Sequence, residues 1–113
     1  MERDGWRSLD MVLDSICLIR SRVYPAEVAA LADACARAAA VTGDSTWLTG
    51  VEMSVTWLLG DNDAGVPMLD ERTGGCSDAL GRLSRSRKQG AEATLAMISV
   101  LQQGHRLAIT KVC

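Results

Sequence analysis

Apolar side chains recur every three or four positions along the N-terminal part of the chain, which is the spacing of one helix face. Ser8 is suited to cap a helix over about 8–22. That helix is predicted to end before Tyr24 and Pro25, because the residue ahead of a proline is pushed out of the helical region. Pro25 can start a second, alanine-rich helix that runs to the stop signal at Gly43. The apolar positions of the first helix are Leu9, Val12, Leu13, Ile16, Ile19 and Val23.

The segment WLTGVEMSVTWLL, residues 47–59, fits two patterns. Apolar and polar residues almost alternate, as in a half-buried strand. The segment also has a continuous helical face, made by Leu48, Val51, Val55, Leu58 and Leu59. A strand of this length would be more than twice the usual five or six residues. Asp44 or Ser45 can cap a helix at its start, and Gly60 can stop one at its end. We therefore predict a helix.

The second half of the chain is less regular. Residues 61–76 are rich in turn formers and are predicted to form a long loop. Ser77 is suited to cap a helix over 77–90, and apolar residues at helical spacing continue through 91–103. These segments are predicted to form one bent helix or two short ones. The tail, residues 106–112, fits a helical turn, an edge strand or a frayed end.

The predicted fold class is therefore all-α. We expect a compact bundle of four to five helices, packed antiparallel around the alanine-rich second helix and the tryptophan-bearing third one, in a single helical domain over 1–113. The alternative is an α+β fold in which residues 47–59 and 106–112 are strands.

Composition agrees with a helical globular domain. The chain has 113 residues, no phenylalanine and two prolines, which disfavours a β-sandwich or barrel. It contains no run of about 18 apolar residues, so no membrane span is predicted, and its charged N-terminus does not resemble a signal peptide. The four cysteines are scattered, with no closely spaced pair. Reduced thiols and a cytoplasmic location are the expectation.

Charge is unevenly distributed along the chain. Residues 1–71 carry twelve acidic and five basic side chains, whereas residues 72–113 carry two acidic and seven basic ones. The two parts could attract each other within the fold or between subunits, or the basic part could face an acidic partner.

No catalytic, cofactor-binding or metal-binding residue is predicted. Asp61 and Asp63 begin a segment that resembles a calcium loop, but Gly65, Val66 and Arg72 stand where that loop needs an oxygen ligand, a glycine and a glutamate. The possible zinc ligands lack the paired short spacing of structural zinc sites; they are Cys17, Cys76, Cys113 and His105. An enzyme is therefore not favoured, although a small enzyme or effector with a site near His105 and the 60–76 loop remains an alternative.

The most suggestive segment is RLSRSRKQG, which carries Arg82, Arg85, Arg87 and Lys88. On a helix Arg82, Arg85 and Lys88 would follow one another at a spacing of three residues, and arginines at this density suit phosphates. Against nucleic acid, the segment has no aromatic residue for base stacking and the whole chain is slightly acidic. A solvated face, pairing within the fold and an acidic protein partner are the competing interpretations.

Two tryptophans suggest a protein interface. On one helix, Trp47 and Trp57 would point about 80° apart, so one of them is expected to be half exposed unless the helix is buried all round. Exposed tryptophan often anchors an interface. We predict a non-enzymatic helical module for protein–protein interaction or self-association, with a protein partner or homo-oligomer on the apolar surface of the third or C-terminal helix. A nucleic-acid-binding module that uses the basic segment over 82–88 is the main alternative, whereas residues 25–60 lack the basic recognition helix of a helix-turn-helix.

Overall fold

The computed structural model describes residues 19–81 and 83–112. Its first α-helix, α1, spans Pro25–Thr42, as the sequence predicts. The backbone N–H of Tyr24 donates to Glu27 Oε1 at 3.2 Å, which secures the start of the helix. Gly43 ends the helix in the left-handed conformation (φ 74°) and donates its N–H to the Ala39 carbonyl at 2.9 Å.

The ambiguous segment over 47–59 is helical, which confirms the predicted helix. A 3₁₀ turn, Ser45–Trp47, leads into α2, which spans Leu48–Leu59. Asp44 caps the turn by accepting from the Thr46 N–H at 2.9 Å. Gly60 stops α2 with a φ of 124°, a value that residues with a Cβ rarely adopt.

Helix α3 spans Ala91–Val112. It passes through Gly104, where we predicted an end, and continues through the tail. Residues 106–112 are thus helical, and the alternative α+β fold with strands at 47–59 and 106–112 is wrong. Ahead of α3, the Gly90 N–H donates to Asp78 Oδ1 at 2.6 Å.

The loop predicted over 61–76 contains a small β-hairpin. Strand β1 (Leu69–Asp70) pairs antiparallel with β2 (Gly75–Cys76), and Leu69 lies opposite Cys76. Met68 N donates to the Leu58 carbonyl at 2.8 Å, which ties the hairpin to the end of α2.

The predicted helix over 77–90 is wrong. Residues 78–81 and 83–88, which we call the basic loop, fold back on themselves instead, and an isolated β-bridge joins Leu80 to Arg85. Backbone hydrogen bonds join the two arms, from Asp78 N to Lys88 O at 2.8 Å, from Ser86 N to Ala79 O at 2.8 Å and from Gly81 N to Ser84 O at 2.6 Å. Glycine and serine are weak helix formers, and the cross-arm bonds replace those that a helix would supply.

The fold is therefore not the predicted bundle of four to five helices. The described residues form three α-helices and one two-stranded antiparallel sheet. Of the helix predicted over 8–22, residues 8–18 lie outside the described part, and the described end, Ile19–Ser21, is a 3₁₀ turn. Among the described residues, no helix combines the length and the apolar character needed to cross a bilayer.

The core lies between the three helices and the hairpin. Helix α1 packs against both α2 and α3, as expected from its alanines, which allow close approach. Trp57 is the largest fully buried side chain. Its neighbours in the core cluster are Ile19, Val28, Ala32, Leu58, Met68, Cys76, Leu80, Ala93, Met97 and Val100.

Candidate functional site

An apolar depression lies between α2 and α3. We call it the α2–α3 groove; its volume is about 530 Å³, and it is lined by Glu52, Val55, Thr56, Leu101, Gly104, His105 and Leu107. Gly104 sets the spacing of the two helices, because a Cβ at this position would lie 2.7 Å from Val55 Cγ2. The groove is thus built by helix packing; its aliphatic lining comes from both helices, and Glu52 is the acidic residue in it.

The outer face of α3 continues the apolar surface beyond the groove. Leu95 is 66% exposed and Ile98 is 43% exposed. Ile98 borders a second hollow on α3 that shares Leu101 and His105 with the α2–α3 groove. Single exposed aliphatic side chains are ordinary, but neighbours three residues apart on a helix form a continuous stripe.

A second depression, which we call the basic cleft, lies between the hairpin and the basic loop. Its volume is about 660 Å³. Its lining is Val66, Pro67, Asp70, Arg72, Ser77, Leu83, Ser84, Arg85, Ser86, Arg87 and Gln89. Three arginines and one carboxylate give this lining a net positive charge.

Arg85 holds the two sides of the cleft together. Its Nη1 donates to the Pro67 carbonyl at 2.6 Å and to the Leu69 carbonyl at 3.4 Å. Because both carbonyls belong to the chain just before or within β1, the guanidinium fastens the basic loop to the hairpin. The sequence alone did not predict that Arg85 would hold the basic loop to the hairpin.

Asp70 organises the opposite side of the cleft. Its Oδ1 accepts from the Arg72 backbone N–H at 2.9 Å and lies 3.7 Å from Arg72 Nε. Its Oδ2 accepts from Gln89 Nε2 at 2.9 Å, and Gln89 Oε1 accepts from Thr73 Oγ1 at 2.6 Å. The pKa of Asp70 lies below the ordinary aspartate value, chiefly because Gln89 donates to the carboxylate and then because the Arg72 backbone N–H does.

Gly75 is needed where Gln89 crosses the hairpin. A Cβ on Gly75 would lie 2.7 Å from Gln89 Oε1. The glycine therefore leaves room for the side chain that connects Asp70 to Thr73.

The predicted partner-binding residues lie in different places. Trp57 is fully buried, and its indole N–H has no hydrogen-bond partner among the described residues, whereas Trp47 is partly buried at the start of α2. Arg85 and Arg87 line the basic cleft, but Lys88 does not. The set predicted as partner-binding is thus not brought together on one surface, and Arg82 lies outside the described residues.

His105 and the 60–76 loop are not brought into one cavity either. His105 is exposed within α3, seven residues before the helix ends at Val112. The α2–α3 groove that it lines contains no residue of the loop.

The described cysteines are buried and free. Burial raises the pKa of the Cys35 thiol. Burial and, to a lesser extent, the Asp78 carboxylate raise the pKa of the Cys76 thiol to about 11. Both shifts lower the fraction of reactive thiolate at neutral pH. Within the described ranges no three histidine, cysteine or acidic side chains come together as a metal site; Cys17 and Cys113 fall outside them.

Two buried polar residues were missed by the sequence analysis. Asn62, flanked by the exposed Asp61 and Asp63, donates from Nδ2 to the carbonyls of Trp57 and Val66, both at 2.8 Å. Ser77, predicted as a helix cap, is 1% exposed at the cleft, and its hydroxyl has no partner among the described residues. The asparagine after a helix stop is a turn signal, but nothing in the sequence indicates the burial of Ser77.

Comparison with protein families, with curated proteins and with solved structures finds no match for this chain.

Proposed function

We propose that the protein is a non-enzymatic, cytoplasmic helical module that self-associates through the α2–α3 groove and the adjoining face of α3. The observation that carries this proposal is the exposure of Leu95 and Ile98 beside a groove with aliphatic walls. Burying such side chains against a partner is favourable by about 25 cal/mol for each Å² of apolar area. The buried, unbridged thiols of Cys35 and Cys76 support a reducing compartment.

A second copy of the chain suits this surface. The surface carries charge of both signs, since Glu52 of α2 lines the groove and Arg106 of α3 lines the adjoining hollow that contains Ile98. In a two-fold dimer the same patch meets itself, so the α2 wall of one copy can face the α3 wall of the other. The apolar ridge of Leu95 and Ile98 would then contact the groove of the partner.

The alternatives have less support. For nucleic acid, the segment expected to present arginines on a helix is a folded loop, and Arg85 already holds two carbonyls of the hairpin. For an enzyme or effector, His105 and the 60–76 loop would have to act in one cavity, and the loop contributes nothing to the groove.

Light scattering coupled to size-exclusion chromatography tests the proposal across a range of protein concentrations and at two salt concentrations. We expect the wild-type mass to rise from that of one chain towards that of two chains as the protein concentration increases. Salt should have little effect on this rise, because salt screens interactions between charges and the proposed contacts are apolar. The variant Ile98→Lys should remain a monomer, because dimerisation would bury an unpaired ammonium group.

Leu83→Lys is the matched control. Leu83 is 88% exposed and lies in the basic loop, so this change introduces the same charge away from the groove and should leave dimerisation intact. Circular dichroism would establish that both variants fold. A wild-type chain that stays monomeric at every concentration, or an Ile98→Lys variant that dimerises as well as Leu83→Lys, would overturn the proposal.

A further inference from the structure

The basic cleft has a composition suited to an anionic ligand. Three guanidinium groups, those of Arg72, Arg85 and Arg87, line it together with a single carboxylate, Asp70. Arginine is the side chain best matched to phosphate oxygens, because its planar fork donates two parallel hydrogen bonds. We propose that this cleft binds a phosphate monoester.

The carboxylate does not prevent anion binding. Both oxygens of Asp70 already accept hydrogen bonds, from the Arg72 backbone and from Gln89, and the Arg72 guanidinium lies 3.7 Å away. The Arg72 guanidinium therefore offsets the negative charge of Asp70, and Arg85 and Arg87 give the cleft an excess of positive charge.

The two remaining arginines differ in how they are held. Arg85 is fixed by the two hydrogen bonds of its Nη1, which leave its Nε and Nη2 donors without a hydrogen bond to the described residues. A guanidinium held in this way loses little further freedom when it binds a ligand. Arg87 is exposed at the same cleft and forms no side-chain hydrogen bond with the described residues, so it can close over the bound phosphate.

Ser77 supplies an independent indication of a ligand. It lines the cleft, it is 1% exposed, and its hydroxyl has no hydrogen-bond partner among the described residues. A buried polar group without a partner is unfavourable, and most buried hydroxyls have one. A phosphate oxygen at the base of the cleft would accept this proton.

The shape of the cleft favours a monoester over free phosphate. Its volume of about 660 Å³ is comparable to that of sites for small organic ligands. Val66, Pro67 and Leu83 provide apolar surface beside the arginines. The phosphate would lie against the guanidinium groups and the organic part against these aliphatic side chains.

Isothermal titration of the full chain with phenyl phosphate tests this site, with phenol as the uncharged comparison. Phenyl phosphate should bind at one site per chain and phenol should not bind, because the arginines recognise charge. Arg87→Gln should weaken phenyl phosphate binding about 10-fold, the size expected for the loss of a charge-assisted hydrogen bond.

Lys88→Gln is the control, because it removes the same charge from the neighbouring exposed residue, which does not line the cleft. It should change the affinity less than about 2-fold, as expected for a screened surface charge. Ser77→Ala should weaken binding several-fold while leaving the melting temperature unchanged or higher, because it removes a hydroxyl that lacks a partner. Absence of phenyl phosphate binding, equal losses in Arg87→Gln and Lys88→Gln, or unchanged affinity in Ser77→Ala would overturn the proposal.

Discussion

The α2–α3 groove and the basic cleft are depressions of similar size that are built in different ways. The groove, of about 530 Å³, lies between two helices whose distance is set by the contact between Gly104 and Val55. The cleft, of about 660 Å³, lies between a hairpin and a loop that side-chain hydrogen bonds hold in place, through Asp70, Gln89 and Arg85. Apolar packing therefore shapes one surface and polar bonding shapes the other.

This difference implies different sensitivity to substitution. In a helix the backbone satisfies its own hydrogen bonds, so a polar side chain on α2 adds little to stability. In the segment from Gly60 to Gly90 most backbone groups are outside regular structure, and single polar side chains replace the missing partners. Removing a buried polar side chain from this segment should therefore reduce the free energy of unfolding much more than removing one from α2.

The largest effect is expected from Asn62→Ala. Asn62 bonds to both the N–H and the carbonyl of Val66 and to the carbonyl of Trp57. Its loss should reduce the free energy of unfolding by about 2–3 kcal/mol, because buried backbone groups are left without partners.

Ser54→Ala is the matched control on α2. Ser54 is equally buried but bonds only to Gly50 O within its own helix, so we expect a change within about 0.5 kcal/mol. Urea denaturation measures both, and equal effects would contradict the distinction between the two regions.

An intermediate effect is expected from Gly75→Ala, which can be compared with Gly104→Ala. In each case the new Cβ would lie 2.7 Å from a side-chain atom. At Gly75 that atom is Gln89 Oε1, and its displacement breaks the bonds to Asp70 and Thr73.

We expect Gly75→Ala to reduce stability by about 1 kcal/mol. At Gly104 the new Cβ would overlap Val55 Cγ2 and push α3 away from α2, but the helix gains about 1 kcal/mol from alanine, so the two effects should nearly cancel. Thermal denaturation compares the two variants. A larger loss of stability in Gly104→Ala than in Gly75→Ala would contradict this expectation. It would show that the helix packing tolerates an added methyl group less well than the polar network does.

The smallest effect is a pH dependence in the cleft. Since hydrogen bonding lowers the pKa of Asp70 in the folded state, ionised Asp70 stabilises the fold above the ordinary aspartate value of about 3.9. That contribution is lost as the pH falls through the lowered pKa. Gln89→Ala removes the main cause of the lowered pKa. The difference in the free energy of unfolding between this variant and the wild type should therefore narrow as the pH is lowered from neutral to below the pKa of an ordinary aspartate. Denaturation curves over this pH range would detect it, and a difference that widens on acidification would contradict the role given to Asp70.

Helices α1 and α2 were predictable because their signals are local. Pro25, Gly43 and Gly60 set boundaries through their own backbone preferences, and the strand interpretation of 47–59 was disfavoured by its length together with the cap and stop signals at either end. The apolar face of α3 beside the α2–α3 groove could also be anticipated, because Leu95, Ile98 and Leu101 follow helical spacing.

The cleft could not be predicted in the same way, because its determinants are distant in sequence. Arg85 bonds to a carbonyl 18 residues earlier and Gln89 to a carboxylate 19 residues earlier. No periodicity reveals such pairs, and the serines and arginines of the basic loop are compatible with a capped helix until these contacts are known. Trp57 illustrates the same limit, because spacing indicates that one tryptophan is more exposed but not which one.

Hydrogen exchange measured at low and high protein concentration tests self-association through the α2–α3 groove most directly. The proposed interface predicts slower exchange at high concentration in residues 95–107 and 52–59, with the basic loop, residues 78–81 and 83–88, unchanged. Identical exchange of residues 95–107 at the two concentrations, or slowing confined to the basic loop, would contradict it.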